Sequence, residues 1–339
     1  MPLIDAVNEN RLLSQWARLL PRPVAAIGAI HEADAELVPL DAARWLAVKV
    51  DTVAEEIAAG LYTDPATAGR IAVISVLSDL AAVGAEPLGL LLSVVLPRDH
   101  AEAVQARVAA GARAACEAAG TGVLGGDTSS GPALAVTVAG FGLVPAGQAL
   151  RRVGLRAGDI IFVAGRVGLG GALAAARWLG AQGFTEDDYA PSPRIAAGRA
   201  LRGIASAAMD TSDGLIATLD QLARLNGVGI RIEAPLNSLL HPKVEAMRVS
   251  VQLPAFAFVA SYHGEFELVF AVPPERLGQL DGLRVALGAE PLRIGTAFSG
   301  AGLQIGDTPI DGAKIRNLFE EVGGDPLAYA SALIGMSPA

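Results

Sequence analysis

Val76-Leu77-Ser78-Asp79-Leu80-Ala81-Ala82-Val83-Gly84-Ala85-Glu86-Pro87 is the stretch around which the rest of this chain is read. With Ile71, Ile74, Leu77, Leu80 and Ala81 at helical spacing, it predicts the last turns of a buried helix, closed by Gly84 and then Pro87. Asp79 is an acid on this otherwise apolar segment. Burying a lone carboxylate costs several kcal/mol, so Asp79 requires a cation, a donor cluster or a path to solvent. An isolated Asp more often takes the exposed face of its helix. The acids further along the chain favour the other reading.

At 339 residues the chain is long enough for two domains, and 52% hydrophobic against 18% charged residues fits a well-buried protein. No apolar run reaches the roughly 18 to 20 uninterrupted residues that a membrane span needs. Asp5, Glu9 and Arg11 near the N-terminus do not fit a signal peptide, so a cytoplasmic protein without a membrane partner is expected. The single cysteine, Cys116, excludes an intrachain disulfide, and His31, His100, His241 and His263 have no metal-ligand spacing. A net charge of -9 disfavours a nucleic-acid partner. Of the three lysines, Lys49, Lys243 and Lys314, none follows a phosphate-cradling Gly-rich loop.

A short amphipathic helix is expected over residues 4–20, ended by Pro21 and Pro23. A strand over 45–50 delivers Asp51. After the Asp79 helix come a strand over 88–96, an alanine-rich helix capped by Asp99 and stopped at Gly120, and a strand over 133–144. The pattern shifts near Ala146, where a domain boundary separates residues 1–147 from 148–339. Beyond it, strands and helices alternate: a strand over 160–164, helices over 171–179, 193–208 and 214–225, and strands over 229–232 and 266–272. Ser192 caps the second of these helices, and Ser212 or Asp213 the third. The fold class is therefore α/β, or α+β.

Val123-Leu124-Gly125-Gly126-Asp127-Thr128 sets two glycines before an acid, which lets backbone amides approach a ligand while the acid holds a cation. Alone, it also reads as a turn. Gly165-Arg166-Val167-Gly168-Leu169-Gly170-Gly171 follows a strand, but its glycines are misplaced for a dinucleotide fingerprint, and close helix-to-strand packing explains them as well. Met209-Asp210-Thr211-Ser212-Asp213-Gly214-Leu215 serves either as a helix cap or as a holder of phosphate and Mg²⁺. Asp34, Asp51, Asp79, Asp127, Asp210 and Asp213 fall at strand ends, turns and helix ends, where acids can converge. Carboxylates without Cys or His ligands favour a hard ion such as Mg²⁺, which neutralises charge during phosphoryl transfer.

Ser78-Asp79-Leu80-Ala81-Ala82-Val83-Gly84-Ala85, Gly125-Gly126-Asp127-Thr128, Arg152-Val153-Gly154-Leu155-Arg156-Ala157-Gly158-Asp159, Asp210-Thr211-Ser212-Asp213-Gly214-Leu215 and Gly264-Glu265-Phe266-Glu267-Leu268 occur in the order seen in thiamine-monophosphate kinases. The chain resembles that family from about Asp34 to Phe270. Those kinases share a superfamily with aminoimidazole ribonucleotide synthetase, selenophosphate synthetase and the hydrogenase-maturation dehydratase. The resemblance implies an N-terminal ATP-binding domain whose mixed sheet forms a barrel at a homodimer interface, and an α/β C-terminal domain. It implies ATP and Mg²⁺ as cofactors, a small-molecule phosphate acceptor, and direct in-line transfer from ATP. Matched positions make Asp34, Asp51, Asp79, Asp127, Asp210 and Asp213 the Mg²⁺ ligands. They make Gly125, Gly126, Thr128, Arg152 and Ser212 the ATP contacts, Glu55 and Glu265 the substrate contacts, and Asp127, Arg152 and Asp210 the catalytic groups.

Several positions depart from the family pattern. Ala33 stands where a second carboxylate is expected, Lys49 and Val50 replace paired threonines, and Ala58 replaces a substrate-contacting histidine. Lys49 offers an ammonium that compensates carboxylate charge as a metal does. Other branches fit less well: no reactive Cys and Lys pair lies near the N-terminus, and the chain ends Met336-Ser337-Pro338-Ala339 rather than in a Cys. ATP-driven activation of an amide or acyl oxygen, and non-catalytic nucleotide binding, remain as alternative readings.

Overall fold

The computed structural model describes residues 3–288 and 290–338. Its strands are β1 (Glu36–Pro39), β2 (Arg44–Thr52), β3 (Glu86–Pro97), β4 (Val123–Gly131), β5 (Ala135–Pro145), β6 (Ile160–Val163), β7 (Ala207–Asp210), β8 (Gly229–Ile232), β9 (Leu268–Val272), β10 (Leu292–Phe298), β11 (Gly302–Ile305) and β12 (Thr308–Ile310). Its helices are α1 (Asn8–Leu19), α2 (Ala54–Ala58), α3 (Pro65–Ala82), α4 (Ala101–Ala119), α5 (Leu169–Leu179), α6 (Ile195–Ala200), α7 (Leu215–Asn226), α8 (Leu236–Leu239), α9 (Pro242–Val251), α10 (Ala255–Val259), α11 (Arg284–Leu287), α12 (Gly312–Glu321) and α13 (Pro326–Gly335).

Two mixed sheets make this a mixed α/β fold. The first runs β1-β2-β5-β3-β4 and is antiparallel except for the β3/β4 pair. The second runs β12-β11-β8-β10-β6-β9-β7, with β11/β8 its parallel pair. The first sheet is open, with β1 and β4 as its edges, so among the described residues no closed barrel forms within the chain.

The helix expected around Asp79 is α3. Asp64 caps it by accepting from the Ala66 amide, Pro65 occupies its first turn, and Gly84 turns the chain out at φ +70°. Every residue from Ile71 to Ala82 is buried, so α3 is apolar all round and Asp79 is buried with it. By length and composition this helix could cross a membrane, contrary to the sequence expectation, but 83% of it is buried inside the protein. Each fully buried Val, Ile or Leu on it contributes roughly 1.5–3 kcal/mol. One side of α3 packs on α4 and the other on β5 and β2.

Contact with β5 is unusually close. A Cβ at Gly140 would sit 2.2 Å from Val76 Cγ1, so the absence of a side chain there sets how far α3 descends onto the sheet. Lys49 and Asp51 pair with Gly140 and Val138 on β5. Because side chains alternate along a strand, both point to the face that α3 covers.

Three local expectations are corrected. The helix read over 193–208 ends at Ala200, and Ala207–Asp210 is instead strand β7, paired with β9. Strand pairing overrides the helical preference of its alanines. The residue before α4 is His100 in a left-handed conformation, not a capping Asp99. Gly214 precedes α7 without a side-chain cap, so Ser212 and Asp213 are not used as caps.

Gly140→Val should force α3 away from the sheet and cost about 1–3 kcal/mol, read as a lower midpoint in chemical denaturation. An unchanged midpoint would show that α3 does not press on β5 as described.

Candidate functional site

Asp34 leads into β1, Asp79 lies in the last turn of α3, and Asp210 ends β7. Packing of α3 between the two sheets brings one carboxylate oxygen from each within 4.8 Å of the others, and all three residues are buried. Arg152 donates to Asp34 Oδ1 from Nε at 3.1 Å and Nη2 at 2.8 Å. Lys49 Nζ lies 3.1 Å from Asp79 Oδ2, and Ser212 Oγ donates to Asp210 Oδ1 at 3.0 Å. Burial first, then the charge of Asp34, pushes the Asp210 carboxyl up to about 7. Burial works against the charge on Lys49, yet Asp79 and Asp51 outweigh it and hold the ammonium protonated.

Asp34 Oδ2 and Asp210 Oδ2 are buried with no hydrogen-bond partner. Leaving buried carboxylate oxygens unpaired is costly, and an all-oxygen donor set of this kind fits a hard cation such as Mg²⁺. The residues present therefore suit the ion that the sequence implied.

A cleft of about 580 Å³ opens beside this cluster, within the range of small-ligand sites. Asp34, Lys49, Asp51, Asp79, Arg152 and Ser212 line it. Among its other lining residues, Arg316 Nη2, from α12, reaches Asp213 Oδ1 at 2.9 Å and Glu9 Oε2, from α1, at 2.8 Å. Tyr262 stacks on Phe319 with ring centroids 4.8 Å apart. Tyr62 Oη lies 3.0 Å from His263 Nε2, and burial lowers His263 to about 3, so its ring is neutral. Glu55 and Glu56 stand on α2 at the rim. Burial raises Glu56 to about 7, and its Oε2 has no partner.

The cleft thus brings together Asp34, Asp51, Asp79, Asp213, Arg152, Ser212 and Glu55, with Asp210 joined to them through Asp34 and Asp79. Ala33 lines it too, while Ala58 is exposed on α2. Gly125, Gly126, Asp127 and Thr128 are placed elsewhere: they form part of the exposed edge strand β4 rather than a loop, and none lines the cleft. A Cβ at Gly126 would lie 1.8 Å from the Leu92 carbonyl oxygen, so this glycine makes room for the neighbouring strand. Glu265 also lies off the cleft. It is buried and accepts from the Gly168 amide at 2.6 Å and from Thr211 Oγ1 at 2.7 Å. Burial raises it to about 8. It ties the Gly-rich turn before α5 to the end of β7, and Gly170 packs there against the His263 carbonyl.

Glu9, Glu56, Tyr262 and Arg316 were not singled out by the sequence. No spacing announces them, because α1 and α12 reach the cleft only by docking on each other, where the Asn8 amide donates to Asn317 Oδ1 at 2.9 Å.

Comparison with known proteins places the chain in a family. The family signature for the AIR synthase related protein, N-terminal domain, matches residues 32–144, and that for its C-terminal domain matches residues 156–306. Thiamine-monophosphate kinase of Salmonella typhimurium is 34% identical over 287 residues, covering 81% of this chain and 83% of that protein. The crystal structure of thiamine-monophosphate kinase from Stenotrophomonas maltophilia K279a is 28% identical with a TM-score of 0.68, covering 88% of this chain and 96% of that one. The structure of AaThiL complexed with AMPPCP and TMP shares the fold at a TM-score of 0.74 and 23% identity, covering 92% of this chain and 97% of that one. With both signatures spanning most of its length, the chain belongs to the AIR synthase-related family, as a member like the thiamine-monophosphate kinases.

Proposed function

We propose that this protein is an ATP- and Mg²⁺-dependent thiamine-monophosphate kinase, converting thiamine phosphate and ATP to thiamine diphosphate and ADP. The observation that carries the reading is the buried Asp34, Asp79 and Asp210 cluster, with two unpartnered oxygens, at the wall of a nucleotide-sized cleft. Kinship with thiamine-monophosphate kinases supports the acceptor. An oxygen of the acceptor phosphate attacks the γ-phosphorus of ATP in line. The bond between γ-phosphorus and the β,γ-bridging oxygen breaks, and the electron pair leaves with ADP.

Mg²⁺, when bound, neutralises the charge of the polyphosphate. Asp34 and Asp210 would offer it their free oxygens, and Asp51, Asp79 and Asp213 line the same cleft. Arg152, fixed by Asp34, points a guanidinium edge where charge develops, and Ser212 orients Asp210. Glu55 and the Tyr262 ring, which line the cleft as well, face the acceptor.

Residues 1–147 form the nucleotide-binding unit and 148–339 the second unit in this reading. The protein is cytoplasmic and works as a homodimer. An open edge strand is a liability unless paired, and Leu91, Val123 and Leu124 are exposed on β3 and β4. Pairing with a second copy completes a barrel there and encloses Gly125, Gly126, Asp127 and Thr128, which bear on the nucleotide from the interface.

Incubation with ATP, Mg²⁺ and thiamine phosphate should yield ADP and thiamine diphosphate in equal amounts by chromatography. ADP formation that ignores the acceptor would contradict the reading. Asp210→Asn should reduce turnover by at least about 100-fold while circular dichroism is retained. Asp127→Asn should do the same if β4 bears on the nucleotide, and full activity would remove it from the site. Light scattering should report a dimer that Leu91→Glu combined with Leu124→Glu converts to a monomer; a dimer that survives both changes would place the interface elsewhere.

A further inference from the structure

The three clustered carboxylates are not equivalent. Asp79 already faces an ammonium, with Lys49 Nζ 3.1 Å from its Oδ2, and the Lys49 and Asp79 side chains are 27% and 5% exposed. Asp34 gives one oxygen to Arg152 and keeps the other free, and Asp210 keeps one free. Lys49 is held where it is by the fold: its strand neighbour is Gly140, over which α3 descends with Asp79 on its last turn. Asp51, two residues along the same strand face, is the next charge drawn to the ammonium. A divalent ion bound to Asp79 Oδ2 at about 2.0–2.1 Å would meet that ammonium at close range, and like charges repel strongly in a buried site.

We propose that Lys49 is a built-in monovalent cation occupying the Asp79 and Asp51 end of the cluster, so that divalent ions bind at the Asp34 and Asp210 end instead. The assignment rests on the metal-dependent nucleotide reading above. Its consequence is that part of the positive charge facing the nucleotide is covalently fixed. That part persists when free Mg²⁺ is low, and chelators cannot remove it. The ammonium also holds the Asp79 side chain in place without an ion.

Mn²⁺ serves as a countable probe by electron paramagnetic resonance, with the full chain titrated alone and with AMPPCP. Lys49→Thr should bind about one more Mn²⁺ per chain than the unsubstituted protein, whereas Lys49→Arg should not. Asp79→Asn should leave the count unchanged, and Asp210→Asn should lower it. The thermal midpoint of Lys49→Thr should fall in EDTA and recover on adding Mn²⁺ by more than the unsubstituted protein gains. Equal counts for Lys49→Thr and the unsubstituted protein, or a lost ion in Asp79→Asn, would overturn the proposal. Kinase turnover by the unsubstituted protein reports separately on the parent reading. Turnover with unaltered counts would remove only the role of Lys49, and altered counts without turnover would remove only the kinase.

Discussion

Three carboxylates within 4.8 Å of one another, all buried, repel each other by about 3 kcal/mol per ionised pair at an effective dielectric near 20. Desolvation adds several kcal/mol for each charge. The rest of the site can be understood as the relief of that cost. Arg152 relieves Asp34, Lys49 relieves Asp79, and Ser212 supplies a donor to Asp210. Two oxygens stay unrelieved, and they make the cluster a receptor for further positive charge. Burial keeps the Asp210 proton bound up to about pH 7, which is the same shortage of positive charge seen from the side of protonation.

Such an arrangement needs a rigid frame, since a cluster that could relax would move apart. α3 provides it. Its all-round apolar surface is locked between α4 and the first sheet, and the contact at Gly140 fixes its height above β2 and β5. The second sheet supplies Asp210 from the end of β7, whose backbone is held by pairing with β9 and whose turn is tied down by Glu265. Glu265, which resembles a substrate contact by position, is buried off the cleft and accepts from the Gly168 amide and Thr211 Oγ1, joining the two turns.

Around Arg316 the cleft is built differently. Arg316 bridges Asp213 and Glu9, so α1 and α12 are joined to the loop after β7 by a single guanidinium. Removing such a bridge would leave two acids facing each other, and Asp213 is already the largest influence raising Glu9. Tyr262, stacked on Phe319, adds an aromatic ring to the lining. The cleft therefore presents charged groups suited to phosphates together with the Tyr62 and Tyr262 rings.

Short-range rules account for what was legible in the sequence. The α3 helix and its glycine end, the strand carrying Asp51, and the preference of an all-carboxylate set for a hard ion all follow from period, capping and ligand chemistry. The ordered motifs carried the family. Where local preference met strand pairing, as at Ala207–Asp210 and Gly125–Thr128, pairing prevailed, because ladder hydrogen bonds with distant residues outweigh the few tenths of a kcal/mol in local propensity. Only the tertiary structure decided which acids meet. Asp34, Asp79 and Asp210 converge through the descent of α3 onto a glycine, Lys49 faces Asp79 by strand alternation, and Arg316 arrives by helix docking. Those are contacts between segments far apart in the chain, fixed by packing of whole elements, and no spacing within a segment encodes them.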